Sequence, residues 1–297
     1  MGTPHYAKEI LQTLIDDNKI EISLVLTQPD RKAGRKNQLK APDVKILAVE
    51  HNLKILQPER LSQEGIYEAI VDAKPDFIVV AAFGQLLPKS ILDIAPCINL
   101  HASLLPQYRG ASPVQQSLLN NDEFTGVTAM LMEEGLDSGP ILGYRYFKIP
   151  EEMILPELMN RLSEDACSLT IDILHRFDTI EPMEQNRALA THCKKIKKQD
   201  GLVNLCDIKT LYSKYRSYAG WPGIFLEGGI KISEIVLVNE VQHTKNGVIL
   251  DLSETSALIS GGNGSIEIGT IQFPSKKAVS AKAYCLGKGL KVGDSLF

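Results

Sequence analysis

Apolar residues along this chain fall into two textures. Up to about residue 180, short apolar-rich, β-like runs alternate with stretches whose apolar side chains recur at helical spacing. The runs at 22–27, 54–56, 77–83 and 97–101 read as strands, and a further one at 126–132 precedes a turn-forming cluster at 135–140. The run at 77–83 is continuous, as in a parallel strand covered on both faces. Helical spacing appears at 7–15, 44–49, 63–72, 113–119 and 156–177, the last carrying Leu158, Leu162, Leu169 and Ile173. Ser62 is placed to cap the 63–72 helix. Ser112-Pro113 sets a cap before a proline at the first helical position. Strands alternating with helices predict a parallel sheet covered on both sides. Gly2-Thr3-Pro4 has the form of a turn that follows a strand, yet almost nothing precedes it. The first strand of the sheet is therefore expected to be missing or to lie upstream of this numbering.

Beyond residue 200 the pattern changes. Short β-like runs at 231–238, 247–252 and 265–271 are separated by Gly, Asn and Ser, the signature of a small β-barrel. A polar, basic stretch joins the two textures. The expected organisation is a first domain over 1–180, a linker over 181–200 and a second domain over 201–297, and a length of 297 residues suits two domains.

Composition narrows the class. The chain is 44% hydrophobic and 23% charged, with a formal net charge of −4, which argues against coating nucleic acid with the whole surface and leaves room for local basic patches. Five cysteines without a CxxC pair read as reduced thiols. No apolar run approaches a membrane span and no signal-peptide pattern opens the chain. A soluble, cytoplasmic monomer is the expectation.

The candidate chemistry sits at strand ends. Side chains two apart on a strand point the same way, so Asn99 and His101 reach one small volume. Such a donor pair suits a developing oxyanion. Asp137, in the turn after the 126–132 run, adds a carboxylate. Polar groups at the ends of separate strands are how open α/β sheets commonly build a site.

Together with Ser103-Leu104-Leu105-Pro106, Arg109-Gly110, Gly2-Thr3-Pro4, the 27–31 run, Ala33-Gly34-Arg35 and Trp221-Pro222-Gly223, these residues resemble the folate-dependent formyltransferases. The likeness covers essentially the whole chain and is strongest before about position 145. It implies a Rossmann-like, mostly parallel α/β domain followed by a small OB-like β-barrel that binds tRNA. It also implies transfer of a formyl group from 10-formyltetrahydrofolate to an amine, without a metal. The Asn-His-Asp set marks the chemistry and not the acceptor. The arginine-rich loop with the C-terminal barrel points to initiator methionyl-tRNA, and so to translation initiation. Two alternatives remain open: a small amine acceptor, such as a sugar nucleotide or purine precursor, and a catalytically silent RNA- or folate-binding protein.

In that chemistry Asn99 and His101 donate to the formyl oxygen, each donor being worth roughly 3–4 kcal/mol. Asp137 orients His101 and takes or relays the amine proton. By the same resemblance, the folate contacts Ser103, Leu104, Leu105 and Pro106, and Phe83, Gly84, Leu86, Gly135 and Leu136 form the pterin pocket. The tRNA meets Arg31, Arg35, Lys36 and Lys40 on a basic loop, and Lys194, Lys195, Lys197 and Lys198 on a second strip. Trp221 is expected in the core of the second domain.

Overall fold

The computed structural model describes residues 1–33, 37–239, 241 and 243–296. The chain divides into two compact units. The first comprises Met1–Pro113, Glu123–Ile149 and Leu158–Lys194; the second comprises Val114–Asp122, Pro150–Glu157 and Lys195–Phe297. No described helix is long and apolar enough to cross a membrane.

In the first unit, Val25–Leu26 pairs in parallel with Ile55–Leu56. A four-stranded sheet runs in the order Ile78–Val80, Cys97–His101, Phe124–Leu131, Ile141–Lys148. Its first pair is parallel and the other two are antiparallel. The four-stranded sheet is thus mixed, while the pair Val25–Leu26 with Ile55–Leu56 and the bridge between Gly2 and Ala81 are parallel. The cause is local: Phe124–Leu131 and Ile141–Lys148 are joined by one turn, and antiparallel neighbours need no crossover. The helices His5–Asp16, Asp43–Glu50 and Leu155–Arg176 lie close to their expected bounds. Ser62 caps nothing. A turn in which Gln63 N donates to Arg60 O and Ile66 N to Gln63 O delays the helix to Ile66–Asp72, and Gly65, at φ +79°, takes the cap position.

In place of the expected first strand, Met1 and Gly2 tie the two sheets together. The Met1 amine donates to Val79 O at 2.6 Å, Ala81 N to Met1 O at 3.0 Å, and Gly2 N to Leu26 O at 3.0 Å. A cleft of about 750 Å³ continues from there, with Ile10, Leu14, Leu24, Val25 and Val79 in its walls.

Two expected connections carry structure. The basic loop is a β-ribbon, Arg31–Ala33 antiparallel to Gln38–Lys40, with Arg31, Lys32 and the whole of the second strand at the surface. The stretch expected to be a linker belongs to the first unit as far as Lys194. There His192–Cys193 pairs in parallel with Arg109–Gly110, and Met183 bridges Ile141.

The second unit is an antiparallel sheet in the order Ile224–Leu226, Ile230–Asn239, Gly264–Gln272, Ala257–Gly261, Ile249–Leu252, with Val279–Ser280 added to Gly264–Gln272. Alternation puts Ile232, Ile235, Ile266, Ile268 and Ile271 into one core with Ile208 and Leu211 of the Ile208–Ser217 helix. Among the described residues no pairing joins the two end strands, so the sheet is not a closed barrel. Trp221 lies outside this core, 58% exposed. Tyr218 and Ile224 on either side of its turn are buried, and positive φ at Gly220 and Gly223 reverses the chain between them, leaving the indole on the outside.

Candidate active site

The Cys97–His101 strand is buried along its whole length. Ile98 and Leu100 belong to the core of the unit, and alternation sends Asn99 and His101 to the opposite face. Cross-strand neighbours fix the register: Asn99 lies opposite Met130 and His101 opposite Thr128.

Asp137 reaches the same place from the turn that follows Phe124–Leu131. Its backbone takes φ +48°, the left-handed region that Asp tolerates better than most residues. Its carboxylate gathers three groups. Asn99 Nδ2 donates to Oδ1 at 3.4 Å, Gly110 N donates to Oδ2 at 2.8 Å, and His101 Nδ1 stands 3.7 Å from Oδ2. The other imidazole nitrogen, Nε2, lies 3.0 Å from Tyr108 O. A carbonyl can only accept, so Nε2 carries a proton in that contact. Gly110 has φ +120°, and a Cβ there would run into Cys193 O. Only glycine lets the backbone N–H reach the carboxylate while the chain pairs with Cys193.

Nothing in the sequence announces the shell behind these groups. Gln185 is buried and donates from Nε2 to Asp137 O at 3.0 Å and to Gly139 O at 2.8 Å. Its Oε1 accepts from the buried Arg109, Nε at 3.0 Å and Nη2 at 2.6 Å. One amide therefore ties the turn carrying Asp137 to the segment that presents Gly110. Arg109-Gly110 is visible as a motif, but a lone Gln in a polar stretch carries no signal of its own. Thr191 holds the neighbouring backbone, with Tyr108 N bonded to its Oγ1 and Arg109 N to its carbonyl, each at 2.9 Å. The Cys193 thiol donates to Tyr108 O at 3.3 Å. Burial pushes its pKa up, in keeping with a neutral thiol donor.

The segments assigned to the folate divide into buried and exposed parts. Ser103 is fully buried, with its hydroxyl donating to Gln107 O at 2.7 Å, and Leu105 packs with Met130 and Ile141. Thr128 Oγ1 locks this loop, donating to Ser103 O at 2.6 Å and accepting from Leu105 N at 3.0 Å. Leu104 and Pro106 are half-buried. The Phe83 ring is in the core, while its carbonyl accepts from Thr3 and Gln28. Gly84, Leu86, Gly135 and Leu136 are exposed. The Lys89 ammonium is held above its ordinary pKa, first by its hydrogen bond to Asp93. Two exposed leucines flanked by open backbone suit the face of a flat heterocycle.

Of the basic residues, Arg31 and Lys40 are exposed on the ribbon, with Lys40 Nζ 3.9 Å from Asp43. Arg35 and Lys36 lie outside the described residues. Lys194, Lys195, Lys197 and Lys198 are exposed, and none of the four stands in an ion pair with a described residue.

The chain is similar to known proteins along its whole length. Residues 1–174 match the formyl transferase family model, and residues 195–289 match the model for the formyl transferase C-terminal domain. Methionyl-tRNA formyltransferase of a Sulfurovum species is 57% identical over 296 residues, covering 100% of this chain and 97% of that protein. The enzyme of the same name from a Nitratiruptor species is 50% identical, covering 100% and 98%. Among solved structures, the N-formyltransferase from Helicobacter canadensis superposes with a TM-score of 0.67 at 18% identity, over 91% of this chain and 97% of that one, a likeness of fold. With family models matched in both units and close relatives aligned along its whole length, the chain belongs to the formyl transferase family.

Proposed function

We propose that this chain transfers the formyl group of 10-formyltetrahydrofolate to the α-amine of methionine esterified to initiator tRNA. The observation that carries the reading is the convergence of Asn99, His101 and Gly110 N on the Asp137 carboxylate at the end of the Cys97–His101 strand. The folate supplies an activated formyl carbon, and the chain's own residues position it and manage charge. Asn99 has two amide protons. One faces Asp137, and the other serves the formyl oxygen as negative charge grows there. His101, anchored through Nε2 to Tyr108 O, presents Nδ1 to the same space. Asp137 accepts the proton that the amine loses as its bond to carbon forms, and returns it to N10 of the folate as the bond between N10 and the formyl carbon breaks, so that neutral tetrahydrofolate leaves. An α-amine titrates near 8 in model compounds, so about a tenth of it is neutral at pH 7 and deprotonation is not a large barrier. Leu86 and Leu136 cover the pterin, and backbone groups of 103–106 meet its polar edge.

The full-length relatives support tRNA as carrier of the amine. On this reading Arg31, Arg35, Lys36 and Lys40 contact the acceptor stem, and Lys194, Lys195, Lys197 and Lys198 contact phosphates. Residues 1–180 carry the chemistry. Residues 201–297 act as a tRNA-binding domain whose sheet is an opened relative of an OB-like barrel. The chain works as a cytoplasmic monomer, in keeping with its five free cysteines.

The test is formylation of charged initiator tRNA with and without the folate donor, against uncharged tRNA. Product should require both donor and charged tRNA. Formylation of a free sugar-nucleotide amine in preference to the tRNA would overturn the acceptor assignment.

A further inference from the structure

Trp221 is the only tryptophan in the chain, and it is largely exposed. An exposed indole leaves a large apolar ring in water, where burial would be favourable. The core of its unit is complete without it, because Tyr218, Ile224 and Leu226 on the flanks of its turn already point inward. The turn is firmly built. Gly223 N donates to Tyr218 O at 3.0 Å, and Val203 N donates to Phe225 O at 3.0 Å. Gly201 is pressed against it so closely that a Cβ there would sit 3.2 Å from Pro222 Cγ and collide with Gly223 O. The indole therefore stands on a fixed support.

That contact also brings a run of cations to the same place. Gly201 ends the short helix Lys198–Gly201, so Lys198 and Lys197 stand three and four residues before the residue that touches the turn, with Lys195 just before them. All three lysines are exposed, and none is matched by a described carboxylate. Lys214 adds a fourth, its Nζ bonded to Leu202 O at 2.9 Å. A rigid aromatic face edged by unpaired lysines is complementary to a nucleotide: the ring takes the base and the ammonium groups take the phosphates. A protein partner's apolar surface would gain nothing from those charges.

We propose that Trp221 is a stacking platform for an unpaired base of the tRNA substrate, with Lys197 and Lys198 neutralising the adjacent phosphates. The base must be unpaired because only a base outside the helical stack offers its face. The proposal rests on the tRNA reading above and adds to it a specific contact in the second unit.

The chain reports on this contact directly, since all its indole emission comes from Trp221. Emission is followed while uncharged initiator tRNA is titrated into the intact protein, and formylation kinetics are measured for wild type, Trp221→Phe and Trp221→Ala. Stacking predicts saturable quenching. It also predicts about a tenfold rise in KM for charged tRNA in Trp221→Ala, with kcat and the KM for the folate donor held, and partial recovery in Trp221→Phe. Unchanged emission in a wild-type protein that formylates tRNA would overturn the platform and leave the function standing. Quenching without any formylation would overturn the function and leave the platform standing. If Trp221→Ala fails to fold, the wild-type titration still decides.

Discussion

At the scale of single residues, the carboxylate of Asp137 is the point on which the site converges. Asp137→Asn keeps its size and the acceptor for Gly110 N but cannot take a proton. Steady-state assays should show kcat reduced by about two to four orders of magnitude, the usual span of a lost general base. Asp137→Ala should behave differently, because it also strips the acceptor from Gly110 N and from Asn99. Leaving a buried donor unpaired costs about 1–3 kcal/mol, so thermal unfolding should separate the two variants. Equal melting temperatures would show that the carboxylate does not bear on the fold of the turn. Gln185 acts one step further back. Gln185→Leu removes two donors from the 137–139 turn and the acceptor of a buried guanidinium. A tenfold loss in kcat, equivalent to about 1.4 kcal/mol, is expected with a smaller change in KM for the folate donor. Gln185→Glu, which restores the acceptor for Arg109 but not the donors, should recover stability more than turnover.

At the scale of elements, legibility follows how local the cause is. The Cys97–His101 strand and the Pro113–Leu119 helix can be read because each carries its own signal, apolar residues alternating with Asn99 and His101 in one and a Ser-Pro start in the other. Ile141–Lys148 escapes such a reading. Gly143, Arg145 and exposed tyrosines interrupt its apolar pattern, and it is a strand because it follows Phe124–Leu131 across a turn. Asn99, His101 and Asp137 are legible as residue types at suggestive spacing. Gln185 is not, since its role exists only through contacts 46 to 76 residues away. Trp221 departs from expectation because a large apolar ring usually favours burial, and two glycines at positive φ reverse that here. Capping offers a test at this scale. Asp207 accepts from Thr210 N at 3.1 Å at the start of Ile208–Ser217, whose Ile208 and Leu211 anchor the second core. Hydrogen bonds from Thr210, and then from Asn263, hold its carboxyl below the ordinary range. A depressed folded pKa means the stabilisation is complete above the unfolded value of about 4 and is lost as pH falls through the folded one. Asp207→Ala should lower unfolding free energy by about 1 kcal/mol at pH 7 in urea titrations, and the gap to wild type should close below about pH 4.

At the scale of the whole molecule, the net charge of −4 and the binding of a polyanion are compatible because the cations are grouped. The exposed ribbon carries Arg31 and Lys40, and Lys194, Lys195, Lys197 and Lys198 follow one another within five positions. If these groups meet phosphates, Lys197→Gln or Arg31→Gln should each flatten the plot of log affinity for tRNA against log salt by about one unit of slope. The affinity for the folate donor should not move. A slope equal to wild type would remove that residue from the interface. The measurement that bears most directly on the central claim is formylation of methionyl-initiator tRNA by the purified chain with 10-formyltetrahydrofolate, run beside Asn99→Ala and Asp137→Asn. The account predicts formylmethionyl-tRNA from the wild type, and rates at least about a hundredfold lower from both variants. A wild type that forms no product, or variants that keep pace with it, would contradict the assignment of chemistry to these residues.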